Sequence, residues 1–116
     1  MARLVLAFMS VYYLVTAAWS LLHIRSFMVV TGPKEETWLV KAVGALVGVS
    51  GLVMGLSALR RRPPSETALV AAGNAAVLAA IDAWYVAGRR ISPVYLLDAA
   101  TELLALAALL RWWPRD

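Results

Sequence analysis

Two acidic residues lie four positions apart inside an apolar segment near the end of the chain. Asp98 and Glu102 occur in the stretch YLLDAATELLALAALL, residues 95–110, where their neighbours are Leu, Ala and Thr. Residues four apart lie on one face of a helix, so the two carboxyl groups would be neighbours. Because like charges at this spacing repel, the pair indicates that one carboxyl holds a proton or that a cation binds between them.

Two other titratable residues interrupt or end apolar runs. Asp82 lies in the preceding apolar run, and His23 follows the first one. Carboxyl groups beside a histidine are the usual components of general acid–base chemistry, such as isomerisation or hydrolysis. We therefore predict Asp98, Glu102, Asp82 and His23 as candidate catalytic residues, with Glu102 holding the proton because it would lie deepest. We predict no cofactor and no bound metal.

The composition predicts that these acids lie in a membrane. Of the 116 residues, 62% are hydrophobic, and the mean hydropathy is +0.74, whereas a soluble domain is about 45–50% apolar. A chain this short forms a single domain, residues 1–116, and cannot hide so much apolar surface from water. It has no Cys, which excludes disulfides and thiol chemistry. Its basic residues lie between the apolar runs and without interleaved aromatics, so we predict no nucleic-acid partner.

Four apolar runs are each long enough to cross a bilayer, which takes about 20 residues. They lack strand alternation and are rich in Ala and Leu, which favour helix. The first is longer than the apolar core of a signal peptide, about 7–15 residues, so we predict a retained helix. We therefore predict an all-α membrane protein, a four-helix transmembrane bundle with antiparallel neighbours. The helices are expected at about 4–24, 37–59, 66–88 and 93–113.

The basic residues also predict the orientation. An even number of spans places both termini on one side, and the cluster Arg60–Arg62 lies on that side with them. Because cytoplasmic loops carry an excess of Lys and Arg, we predict cytoplasmic termini in a bacterial cytoplasmic membrane. The other loops would then lie on the outer side.

Helical rise places the three acids in the outer half of the bundle. At 1.5 Å per residue, Asp82 and Asp98 lie about 9–10 Å below the outer helix ends, and Glu102 about 16 Å below. Charges at this depth normally face the bundle interior or a water-filled cavity. We therefore predict an outward-opening polar pocket for a small lipophilic or cationic ligand. The predicted ligand-binding residues are Lys41, Trp19, Asn74, Tyr85 and Arg89.

Several of these residues also have a purely structural interpretation. Lys41 and Arg89 can extend along the helix to the interface without contributing to a site. His23 can simply form a hydrogen bond at a helix end, and Asp82 can pair with Arg89.

A glycine pattern marks one face of the second long run. Gly44, Gly48, Gly51 and Gly55 recur at spacings of 4, 3 and 4, with two G-x-x-x-G matches of the kind that lets helices approach closely. The face would pack against another helix of the same chain or form a homodimer seam. The sequence does not choose between the two.

Three functions fit this pattern. The first is binding of a small lipophilic molecule, or acid–base chemistry on it. The second is proton-coupled transport by a dimer, since the chain resembles small multidrug transporters in length and helix number. Those carry their essential acid in the first helix, whereas residues 4–22 here contain none. The third is a non-catalytic partner subunit in contact with membrane lipid. Eukaryotic sterol isomerase-like proteins are similar to this chain only in having four helices and buried His and acidic residues.

Overall fold

The computed structural model describes residues 2–32 and 36–114, and this part of the chain is built from helices. In chain order they are α1 (Ala2–Leu22), α2 (Ile24–Thr31), α3 (Thr37–Ala58), α4 (Ser65–Ala87) and α5 (Tyr95–Arg111). The predicted all-helical class is confirmed. α4 begins directly after the Pro63–Pro64 pair, and α5 follows Pro93, as expected of a residue that favours the start of a helix and disfavours its interior.

The predicted count of four helices is wrong, because the described residues form five. The first helix is predicted to continue to about residue 24, but it ends at Leu22, and the short helix α2 follows. His23 separates them with a non-helical backbone and is the N-cap of α2, where its Nδ1 accepts a hydrogen bond from the Ser26 amide at 3.4 Å. Ser26 Oγ donates back to the His23 carbonyl at 3.1 Å. Histidine is not among the usual N-cap residues, so the sequence pattern did not reveal this break.

Within the described ranges, three helices are long and apolar enough to cross a membrane. These are α1, α3 and α4, with 21, 22 and 23 residues, which corresponds to about 31–35 Å of helix. α5 has 17 residues and carries Asp98, Glu102 and Arg111. The predicted start near residue 93 is two residues early, because a turn at Pro93 and Val94 precedes Tyr95.

The glycine face of α3 packs against α1. A Cβ added at Gly48 would lie 3.1 Å from Ala17 Cβ, and one added at Gly51 would lie 2.9 Å from Tyr13 Cβ. Gly44 and Gly55 face Ser20 and Ser10 in the same way. The two helices therefore approach closely because small residues line the contact. A homodimer through these glycines stays a prediction, and in the single chain α1 already covers the face.

The helices form two pairs that meet at one end of the bundle. α1 packs along α3, and α4 packs along α5, whereas contacts between the pairs are sparse. We call the end with both chain termini and the α3–α4 turn the termini end, and the opposite end the loop end. The pairs join toward the termini end through a buried core of Leu6, Met9, Tyr13, Met54, Ala58, Ala71, Ala72, Ala75, Ala105 and Leu109. Towards the loop end they leave space between them.

Polar contacts tie the termini end together. Ser57 and Thr67 share a buried hydrogen bond of 2.9 Å between α3 and α4. Arg3 Nε donates to the Ala58 carbonyl at 2.9 Å, which satisfies one of the acceptors left free where α3 ends. The contact between the helix pairs is thus closed at this end by packing and hydrogen bonds, and the space between the pairs lies toward the loop end.

Candidate functional site

A cavity of about 490 Å³ fills the space between the two helix pairs. Its walls come from all five helices, with α2 and the first turns of α3 nearest the loop end. Most of the wall is apolar or aromatic, including Trp19, Phe27 and Val43. The polar groups concentrate toward the core, where Tyr12, Tyr13, Asp82, Asp98 and Glu102 lie. This combination of an apolar wall and a few convergent polar groups is typical of small-molecule sites.

Two tyrosines of α1 bind the two acids of α5. Tyr12 donates a hydrogen bond from its hydroxyl to Asp98 Oδ1. Tyr13 donates to Glu102 Oε2 at 2.9 Å, and both side chains of this second pair are buried. Adjacent tyrosines can donate hydrogen bonds to acids one turn apart because each hydroxyl reaches across the gap between the helix pairs. The hydrogen bonds fix the direction in which each carboxyl points.

Two carboxyl oxygens in the cavity wall are left without a partner. Asp82 is 5% exposed and Glu102 is 1% exposed. Asp82 Oδ2 and Glu102 Oε1 are both buried, and neither accepts a hydrogen bond from any described residue. Asp82 also interacts with the neighbouring Asp98 side chain. Because a buried polar atom without a partner costs about 1–3 kcal/mol, a hydrogen-bond donor or a bound proton at these oxygens would stabilise the fold.

The structure brings only some of the predicted site residues together. Asp82, Asp98, Glu102 and Trp19 line the cavity. Trp19 Nε1 donates to Ser26 Oγ at 2.8 Å, and the indole meets the edge of the Phe27 ring at 5.3 Å between centroids. Trp19 therefore holds α2 over the loop end of the cavity and forms part of its wall.

The other predicted members lie outside this cavity. His23 is exposed and caps α2, so its polar contacts are local. Lys41 is exposed on α3, and Tyr85 is 39% exposed on α4. Asn74 is half-buried but does not line the cavity. Arg89 is exposed in the turn after α4, where its φ of 58° places it in the left-handed region.

Tyr13 is the important residue that the sequence pattern did not reveal. Tyr12, Thr16 and Trp19 recur at spacings of 4 and 3 and form one polar face of the first helix, whereas Tyr13 falls on the neighbouring face. A signal is nevertheless present, since Ser10, Tyr13, Ala17 and Ser20 recur at spacings of 3, 4 and 3. This stripe matches the glycine face of α3, and its single large residue is the one that reaches the deepest acid.

The arrangement supports anchoring of a ligand and proton exchange with it. The free carboxyl oxygens can accept a hydrogen bond or a proton, and each tyrosine hydroxyl holds one acid in place. In the part of the chain that the structure describes, no group of three His, Cys, Asp or Glu is placed to hold a metal ion. No family model, curated protein or solved structure matches this chain.

Proposed function

We propose that this chain is an integral membrane protein in which α1, α3, α4 and α5 span the bilayer. The outward faces of all four helices carry exposed apolar side chains, such as Leu4 (66%), Leu46 (69%), Leu69 (65%) and Leu104 (73%). Soluble monomers rarely expose contiguous apolar surface on this scale. α5 has 17 residues, at the lower limit of the range for a span of about 17–25. The longest dimension, 43 Å, matches a bilayer of about 40–45 Å with its headgroups.

The basic residues favour a cytoplasmic termini end, in a bacterial cytoplasmic membrane. Arg3, Arg60–Arg62 and Arg111 lie there, whereas Arg25, Lys41, Arg89 and Arg90 lie at the loop end, so the difference rests on the Arg60–Arg62 cluster. Because the natural chain has no cysteine, Arg62→Cys and Arg90→Cys each introduce a unique label site. We expect an impermeant maleimide to label the second variant on intact cells, and the first only after permeabilisation. Labelling of both variants from both sides would show dual orientation and contradict the proposal.

The function we propose for the cavity is binding of a small lipophilic molecule that bears one polar group. The apolar wall would hold the body of the ligand, and the free oxygens of Asp82 and Glu102 would receive its polar group. The observation that carries the proposal is the pair of buried, unpartnered carboxyl oxygens on one cavity wall. A ligand with hydrogen-bond donors would supply the partners that these oxygens lack, and either acid could then exchange a proton with it.

Binding accounts for the geometry more directly than transport does. The cavity lies toward the loop end, and the apolar core of Leu6, Met9, Met54 and Leu109 closes the termini end. A transporter needs an opening at both ends in turn, so the two helix pairs would have to separate at this core. A site that is closed toward the termini end fits a binding protein, or an enzyme that takes its substrate from one side.

The test measures saturable binding of a small amphiphilic probe to the natural chain and to a variant in which a larger side chain fills the cavity. 1-Aminoanthracene has a flat apolar body and one amino group, and its binding can be followed by equilibrium dialysis in nonionic detergent, with empty micelles subtracted. Val43 lines the cavity, whereas Val49 on the same helix lies outside the lining, and the two side chains are similarly exposed, at 52% and 60%. We expect Val43→Trp to abolish saturable binding and Val49→Trp to leave it unchanged. Equal binding by both variants would show that the probe does not enter this cavity.

A further inference from the structure

In the described part of the chain, the cavity concentrates acidic side chains without a basic one. Its wall contains three carboxyl groups, those of Asp82, Asp98 and Glu102, and no Lys, Arg or His among the described lining residues. Charged groups at membrane depth are normally paired with one another, with an opposite charge or with water. The two tyrosines donate hydrogen bonds to Asp98 and Glu102 but bring no positive charge. The missing opposite charge would therefore come from the ligand or from bound protons.

We infer that the ligand is an amphiphilic organic cation, an ammonium with an apolar body, which takes the place of a proton in this acid group. The inference rests on the proposed binding function and names the class of ligand. Two buried, unpartnered carboxyl oxygens point to a donor group, and the surplus of acids points to a positively charged one. An ammonium has three donors and no acceptor, so it can donate to more than one of these carboxyls.

The size and lining of the cavity fit such a ligand. A volume of about 490 Å³ falls within the range of about 300–1,000 Å³ found for small-molecule sites. The aromatic rings of Trp19 and Phe27 lie between the acids and the loop end, in edge-to-face contact. They offer apolar surface for the body of the ligand on the path that it would follow to the acids.

Exchange of a cation for a proton leaves the charge of the site unchanged. The bound cation carries +1 into the cavity, and one carboxyl proton leaves to solvent. The titratable groups that face the ligand are Tyr12 and Tyr13 from α1, Asp82 from α4, and Tyr95, Asp98 and Glu102 from α5. The described lining residues of α2 and α3 are uncharged. The carboxyls are therefore the groups whose proton the cation replaces, and affinity should rise with pH.

The experiment compares two probes of one shape, 4-phenylbutylamine and 4-phenyl-1-butanol, with the whole chain in nonionic detergent. The amine is a cation at neutral pH, like a lysine side chain with its pKa of about 10.4. We expect the amine to bind about tenfold more tightly than the alcohol, because hydrogen bonds to charged groups are the stronger ones. If one proton leaves per cation bound, the amine's Kd should fall about tenfold per pH unit over the range where the acids titrate. Mixing the amine with the protein in weakly buffered solution should release that proton and lower the measured pH.

Variants of the acids test which carboxyl groups produce the preference for the amine. Glu102→Gln and Asp82→Asn keep the side-chain shape and remove one ionisable group each, so the preference for the amine should shrink in both. Glu66→Gln is the matched control, because Glu66 is exposed in the first turn of α4 and lies outside the cavity lining. It should bind both probes as the natural chain does.

The outcomes separate this inference from the proposed function. If the alcohol binds as tightly as the amine and neither affinity depends on pH, the ligand is not a cation, and the binding function stands. If neither probe binds more than it does to Val43→Trp, the proposed function itself fails. Both results come from the natural chain, so they hold even where an acid variant does not fold.

Discussion

Replacement of Gly51 by alanine tests whether the glycine face builds the site. The added Cβ would lie 2.9 Å from Tyr13 Cβ and 3.3 Å from the Leu14 backbone nitrogen. Carbon atoms pack best at about 3.5–4.0 Å, so α1 would have to move away by roughly 0.6–1 Å. The backbone of a helix cannot yield as a flexible side chain does, and overpacking of this kind costs about 1–3 kcal/mol.

Gly73 supplies a matched control on α4. It is also in mid-helix, and an added Cβ would meet no described atom within 4 Å. Both replacements gain the same intrinsic helix preference of alanine over glycine, roughly 1 kcal/mol. The difference in the free energy of unfolding between the two variants therefore isolates the clash, and we expect Gly51→Ala to be lower by about 1–3 kcal/mol.

The assay is unfolding in nonionic detergent, followed by the near-ultraviolet circular dichroism of the tryptophans. Binding of 4-phenylbutylamine is measured on the same samples. A shift of α1 alters the contact of Tyr13 with Glu102, so the affinity of Gly51→Ala should change, while that of Gly73→Ala should not. Equal stability and equal affinity of the two variants would refute the close approach of α1 and α3 and its link to the acids.

Two further predictions concern the groups that hold the acids. Tyr13→Phe leaves Glu102 Oε2 without its donor, so the free energy of unfolding should fall by about 1–3 kcal/mol. Tyr85→Phe is the control, because Tyr85 is exposed, and its expected change is below about 0.5 kcal/mol. Equal losses in the two variants would contradict the role of the Tyr13–Glu102 hydrogen bond. Glu102→Gln should fold with nearly the natural melting temperature, because it keeps an acceptor for Tyr13, whereas Asp98→Leu should weaken amine binding more than it lowers stability. Unfolding of Glu102→Gln, together with unchanged stability and binding in Asp98→Leu, would overturn the second prediction.

The long helices could be predicted because their signal is distributed over many residues. Runs of 18 to 22 uncharged or nearly uncharged residues, rich in Ala and Leu, allow little besides helix. The break at His23 depends on one side chain instead. An imidazole nitrogen takes the capping position that Ser, Thr, Asp or Asn usually holds, and Ser26 completes the contact. A single hydrogen-bond geometry of this kind leaves no periodic trace in the sequence.

The acids and the basic residues differ in how well their positions could be predicted. Asp82 and Glu102 have short side chains within apolar segments, so in a membrane protein the cost of exposing them to lipid favours the bundle interior. Lys41 and Arg89 lie near helix ends and have long side chains that reach water from almost any face. Their direction is set by the rotation of each helix end and by the turn at Arg89, which 3.6-residue periodicity does not determine.

The glycine face and the acid pair look like separate patterns in the sequence, and the structure joins them through Tyr13. The glycines let α3 lie close against the backbone of α1, and this fixes the rotation of α1 about its own axis. That rotation directs Ser10, Ala17 and Ser20 toward α3, and the larger Tyr13 to the edge of the contact. From there its hydroxyl reaches Glu102 on the other helix pair. A helix contact that resembles a dimer motif thus determines where the deepest acid of the cavity points, so changes at the glycines should be measured as changes in ligand binding as well as in stability.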